Sequence, residues 1–183
     1  MKIVIAMTGA SGAIYAQRLL DNLTGHEVHF IATKHAGEVV ALELPGGLKV
    51  PAGVKCYEEN GSMFVPFVSG SAKLDAMVIV PASMGTVGRI ASGCSDSTIA
   101  RAADVFLKER RKLIIVPRES PFNLIHLRNL VTLTEAGATI IPANPAFYNQ
   151  PATITDLVDT IVARILDHLG IEHRLVKRWQ SGD

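Results

Sequence analysis

Five short runs rich in Val and Ile, KIVIAM (2–7), EVHFIAT (27–33), DAMVIVPA (75–82), KLIIVP (112–117) and ATIIPA (138–143), recur along the chain. They lack the regular polar alternation of a strand with one wet face, so each reads as a strand buried on both sides. Segments with helical spacing separate them, at 12–24, 34–44, 84–92, 96–110, 121–136 and 154–169. Parallel strands need a crossover connection, usually a helix. The alternation therefore predicts an α/β fold, a three-layer sandwich with a mostly parallel sheet and helices on both faces. The stretch 45–73 is rich in loop formers and has room for one or two further short strands.

Residue chemistry marks several helix ends. Ser120 followed by Pro121 reads as an N-cap and first helical position, because proline there gives up an N–H that would have no partner anyway. Thr153 with Asp156 has the spacing of a capping box, and Gly25, Gly137 and Gly170 are placed to stop their helices in the left-handed conformation.

Size and charge narrow the functional class. The 183 residues suffice for one domain with a core of its own, spanning 1–183 with 171–183 as a C-terminal tail. Lys and Arg number 18 against 17 Asp and Glu, so no basic field exists to recruit nucleic acid, and a small molecule is the expected partner. Cys56 and Cys94 stand apart without CxxC spacing, which fits a reducing cytoplasm, and the histidines form no metal-binding pair. No apolar run approaches the length of a membrane span, and the first one is expected as a strand. A mean hydropathy of +0.27 has to be absorbed by a core or by contacts between copies, which favours a homo-oligomer.

In an open parallel sheet, ligands bind beyond the carboxyl ends of the strands, near the point where strand order reverses. In MTGASGA, Gly9 and Gly12 bracket Ala10 and Ser11, offering helix-start amides and a hydroxyl to an anion. The loop is neither GxGxxG nor a Walker loop, and a tight strand-to-helix turn explains it equally well when taken alone. In VPASMGTVGRIASG, Ser83 and Thr86 bring two hydroxyls to a second junction. Ordinary N-caps account for either residue singly, whereas two such junctions on one sheet edge suit a phosphorylated cofactor. Arg118 and Glu119 follow the fourth of these runs, where an arginine can fork onto a phosphate. By spacing, Arg101, Asp104 and Lys108 are a solvated stripe on one helix, and Arg164 is a surface residue paired with Asp167 or Thr160. Phe147 and Tyr148 sit in a proline-stiffened loop, as a lid over either a ligand or a neighbouring helix.

TGASGA, SMGT with IASG, RAADVFLKERRKLIIVPRESPF and PAFYNQP, taken in order, resemble the flavin prenyltransferases, the UbiX and Pad1 group, over nearly the whole chain. The resemblance implies a Rossmann-like (flavodoxin-like) flavoprotein that joins a dimethylallyl group from dimethylallyl monophosphate to reduced FMN. It further implies that the product passes to a UbiD-type decarboxylase and that twelve copies assemble from trimers. FMN contacts carried over from the family are Gly9, Ala10, Ser11, Thr33, Ser83, Met84, Gly85, Thr86 and Arg118. Substrate contacts are Arg101, Lys108, Tyr148 and Arg164, with Trp179 near a neighbouring subunit's site. Ser11, Glu43, Lys108 and Glu119 take the catalytic roles. No metal is implied, and the chain has no Asp-Asp pair of the kind that holds magnesium in prenyl diphosphate enzymes. It departs from the family pattern at Thr33, where serine is common, and around Met63 and Phe64, where some members carry a tryptophan. Two rival readings share the fold: an FMN-dependent cysteine decarboxylase, whose PASANT segment here reads PASMGT, and a flavin-binding protein without catalysis.

Overall fold

The computed structural model describes residues 1–59 and 61–177. Six strands, β1 (Lys2–Met7), β2 (Glu27–Ala32), β3 (Lys55–Glu58), β4 (Ala76–Ala82), β5 (Lys112–Pro117) and β6 (Thr139–Ile140), form one sheet in the order β3-β2-β1-β4-β5-β6. Every pairing is parallel. The helices are α1 (Ala13–Asp21), α2 (Lys34–Glu43), α3 (Met84–Ala91), α4 (Thr98–Lys108), α5 (Leu124–Glu135) and α6 (Ile154–Leu169). The sixth strand, β3, comes from the loop-rich stretch, which also holds a 3-10 turn at Pro66–Val68.

Burial on both faces follows the twofold period of a strand. On β1, Ile3, Ile5 and Met7 face the layer of α1, α2 and α6, while Val4 and Ala6 face that of α3, α4 and α5. β4 divides likewise, Val78 and Val80 against Met77 and Ile79, and all seven of its residues are buried. Each such Val or Ile contributes about 1.5–3 kcal/mol relative to exposure. Two clusters thus clamp the middle of the sheet and leave its carboxyl edge to the loops.

Two helix boundaries differ from expectation. Asn123, not Ser120, caps α5: its side chain accepts from the His126 N–H at 2.8 Å, and the His126 ring accepts from the Asn123 N–H at 3.4 Å. Ser120 and Pro121 lie ahead of the helix, joined by a cis peptide bond. Phe122 packs into the second core and edge-on against His126, which holds the chain so that the helix starts after it. Gly25 does not stop α1, which ends at an Asn22 cap; it turns the chain into β2 instead. Gly170 caps α6 in the left-handed conformation, and the Thr153–Asp156 capping box is present. Gly137, also left-handed, directly follows the Ala136 cap of α5. The described part of the C-terminal tail folds back, with Ile171 and Leu175 packed against the first core.

Candidate functional site

β1 and β4 are neighbours, yet the chain leaves β1 for α1 on one face and β4 for α3 on the other. Their carboxyl ends therefore open a crevice at the point where strand order reverses. Gly9 lies against the first turn of α2: a Cβ there would stand 2.6 Å from the Cβ of His35. Gly12 opens α1 with φ +106°, a left-handed conformation that a side chain would strain.

The start of α1 has no side-chain cap of its own. Glu43, the last residue of α2, supplies one: its Oε2 accepts the N–H groups of Gly12 and Ala13, each at 2.8 Å. The anion facing these amides is thus the protein's own carboxylate. Burial alone would raise the Glu43 pKa, but the Ser11 hydroxyl, the Ala13 and Gly12 amides and the charge of Arg118 together outweigh it and hold the carboxyl below its usual range. Arg118 closes the group. Its Nε donates to the Ser11 carbonyl at 3.1 Å, and its backbone N–H donates to the Ala82 carbonyl at 3.2 Å.

Beside this cluster lies a cleft of about 270 Å³ where three helices begin. Thr33, Ser83 and Ser97 are the N-caps of α2, α3 and α4, accepting from the N–H groups of Ala36, Thr86 and Ala100 at 3.1, 3.4 and 3.2 Å. The Ser83 and Thr86 hydroxyls are 3.1 Å apart. Thr33, Thr86 and Ser97 line the cleft with Lys34, Arg89, Asp96 and Glu59. Arg89 is steadied by Asp96 at 3.4 Å. Burial pushes the Glu59 carboxyl up, and its Oε2 is buried without a hydrogen-bond partner among the described residues. Lys34, Arg89, Ser97 and Glu59 escaped the sequence reading. Arg89 sits within the quoted VGRIASG segment, so its place one turn beyond Thr86 was the one available signal.

The carried-over residues fall into separate groups. Gly9, Ala10, Ser11, Thr33, Glu43, Ser83, Gly85, Thr86, Arg118 and Glu119 all belong to the carboxyl edge; Met84 joins them through its backbone, its side chain being buried in the second core. Glu119 is exposed and accepts from the Ser120 N–H at 2.9 Å. Arg101, in the first turn of α4, pairs with Asp104 at 2.9 Å. Lys108, paired with Glu109, is the last residue of that helix, beside Gly70 and just ahead of β5. β5 begins at Lys112, soon after the helix ends, and runs toward the carboxyl edge, so Lys108 lies at the opposite edge of the sheet. Arg164, paired with Asp167 at 3.1 Å, also lies toward that edge, since α6 ends where Lys112 at the start of β5 donates to the His168 carbonyl. Tyr148 is exposed on the loop before α6 and lines a hollow of about 490 Å³ with Thr160 and Leu175. Phe64 is fully exposed, and the Met63 sulfur accepts from the Thr98 hydroxyl at 3.8 Å. Trp179 lies outside the described residues.

Among the described residues no group of three or more His, Cys, Asp or Glu is gathered, and no helix is long and apolar enough to cross a membrane. The edge thus offers hydroxyls, helix-start amides and two arginines around a glycine-lined approach, a donor set that fits a phosphorylated, hydroxyl-bearing ligand.

The family model described as "Flavoprotein" matches residues 1–166. The Flavin prenyltransferase UbiX of Methanocaldococcus jannaschii is 48% identical over 181 residues, 98% of each chain. The crystal structure of AnUbiX (PadA1) in complex with FMN and dimethylallyl pyrophosphate has a TM-score of 0.91 at 40% identity and covers 100% of this chain and 98% of its own. A dodecameric FMN-dependent Ubix-like decarboxylase from Escherichia coli O157:H7 has a TM-score of 0.91 at 39% identity, over 99% of this chain and 100% of its own.

Proposed function

Since this chain belongs to the UbiX-type flavin prenyltransferases, a transferase family of flavoproteins, we propose that it joins a dimethylallyl group from dimethylallyl monophosphate to reduced FMN, making the prenylated cofactor of a UbiD-type decarboxylase. The observation that carries this reading is the cluster of Ser11, Glu43 and Arg118 at the strand-order crevice, with a phosphate-sized cleft of helix starts beside it. Thr33, Thr86 and Arg89 would hold the FMN phosphate in that cleft, and Gly9, Ala10 and Ser11 would face its ring system. Reduced FMN supplies the electron-rich ring that accepts the five-carbon unit.

The chain's own residues handle charge and protons. Breaking the allylic C–O bond leaves a cation-like carbon and a departing phosphate, so the site needs cationic donors at the phosphate and dry surroundings at the carbon. Arg118, beside Ser11, is the first donor to the phosphate in this reading. Arg101, Lys108, Tyr148 and Arg164 complete the clamp, and Glu119 gives a proton to the departing phosphate oxygen. The Ser11 hydroxyl, held by Glu43, orients the ring and relays a proton beside it.

Lys108 and Arg164 reach such a site only from another copy of the chain, which supports a homo-oligomer, a dodecamer built from trimers. The exposed Leu124, Ile125, Leu127 and Val131 on α5 form an apolar face that such an assembly would cover with another copy. Cys56 and Cys94, both free and exposed, accord with a reducing cytoplasm.

Anaerobic incubation with reduced FMN and dimethylallyl monophosphate, followed by mass spectrometry of the extracted flavin, tests the reading. A flavin heavier by one five-carbon unit is expected. Bound but unaltered FMN would favour a non-catalytic carrier, and release of carbon dioxide from a peptidyl cysteine would favour the decarboxylase.

A further inference from the structure

The regular ladder between β1 and β4 stops before the crevice. Its pairs run from Ile3 with Ala76 to Ala6 with Ile79, and the register of β4 against β5 shifts between Ile79 and Ala82. Pro81 has no N–H to donate. Beyond Ile79, the ladder itself supplies nothing to fix the loop after β1 relative to the loop after β4.

Thr8 supplies that link. It is fully buried, and three hydrogen bonds join it to Pro81 and Ser83. Its backbone N–H donates to the Pro81 carbonyl at 3.2 Å, and its hydroxyl donates to the same carbonyl at 3.0 Å. The hydroxyl oxygen in turn accepts the Ser83 N–H at 2.7 Å. One side chain therefore spans from the residue before Gly9 to the residue that caps α3. Threonine suits the task because its branched Cβ restricts rotation while its hydroxyl both donates and accepts.

We propose that Thr8 is a positioning residue that sets the gap between the two ligand loops, 9–12 and 83–86, and thereby the affinity for flavin. The inference rests on the flavin reading of the crevice. Thr8 touches no ligand, since none of its surface is accessible; it acts through Ser83 and Gly9, its neighbours on either side. A valine of nearly the same shape would keep the backbone bond to the Pro81 carbonyl but remove the hydroxyl bond beside it and leave the Ser83 N–H unpaired, which loosens the hold between the two loops.

The test compares wild type, Thr8→Val and Thr8→Ser for FMN affinity and for the visible circular dichroism of flavin at saturation, well below each thermal midpoint. Thr8→Val is expected to raise the FMN dissociation constant about tenfold or more and to alter the bound-flavin bands, with Thr8→Ser restoring both. A merely structural role would lower the midpoint and leave the bands unchanged. Should Thr8→Val fail to fold, amide hydrogen exchange on the wild-type protein decides: slow exchange at Ser83 with and without FMN is expected, and fast exchange overturns the proposal. Wild type that binds FMN alongside a Thr8→Val variant with unchanged affinity and bands overturns the Thr8 inference alone. A wild type that takes up no FMN overturns the flavin reading and this inference with it.

Discussion

Glu43 does for α1 what a bound anion would do, and its charge is held by partners far from it in the sequence, the consecutive Ser11, Gly12 and Ala13 together with Arg118. The folded carboxyl titrates below its unfolded value, so its contribution is fully present above about pH 4.5 and is lost as pH falls through the folded value. Glu43→Gln keeps an acceptor oxygen and removes the charge. We expect urea unfolding near neutral pH to show a loss of about 0.5–1 kcal/mol, the worth of an anion at a helix start. That gap should close in acid, as pH falls through the folded value and the wild-type carboxyl takes up its proton. A gap of constant size across the titration would mean that shape alone holds the cap. The same substitution should weaken control of the Ser11 hydroxyl, since that group is one of the carboxylate's partners.

Among the elements, α5 shows how two plausible caps compete within three residues. Ser120–Pro121 and Asn123–His126 both satisfy the rules for a helix start, and the intrinsic preferences of serine and asparagine at that position are nearly equal. The choice falls to Phe122, whose side chain enters the second core and stacks edge-on against His126. Asn123→Ala should therefore cost about 1 kcal/mol, or about 2–4 °C of thermal midpoint in a chain of this size, whereas Ser120→Ala should stay within about 0.5 kcal/mol. Thermal melts of the two variants would give the reverse order if the helix began at Pro121. The placement also matters to the site, because it leaves residues 118–122 as a loop and keeps Glu119 outside the helix, next to Arg118.

At the scale of the whole molecule, the sheet separates two sets of charged residues that the proposed chemistry needs together. Arg118 and Glu119 end β5 at one edge, while Lys108 precedes β5 at the other. If one copy's Lys108 serves another copy's Glu119, then Lys108→Ala and Glu119→Gln, each nearly inactive alone, should complement when co-expressed. Random mixing in a symmetric assembly would leave about a quarter of the sites with both native groups. Co-assembled protein should recover prenyl transfer on that order. No recovery in oligomers shown by mass to contain both variants would place the two groups within one chain or remove Lys108 from the site.

The chain's local pattern was enough to determine the parallel sheet and the layers of helices, and to point to the carboxyl edge as the candidate site. Strand and helix periods are carried by neighbouring residues, and crossover connections leave few ways to join them. It was also enough to single out Ser11, Ser83, Thr86 and Arg118 as candidates, because each stands at or beside the end of a strand, whereas Thr33 entered only through the family resemblance. Only the tertiary structure decided that Glu43 occupies the first amides of α1, that Lys34, Arg89 and Ser97 share one cleft, and that Lys108 is a sheet's width from Glu119. Those facts are distances between groups on different elements, and such distances are set by how side chains of those elements pack on the sheet, which no local spacing encodes.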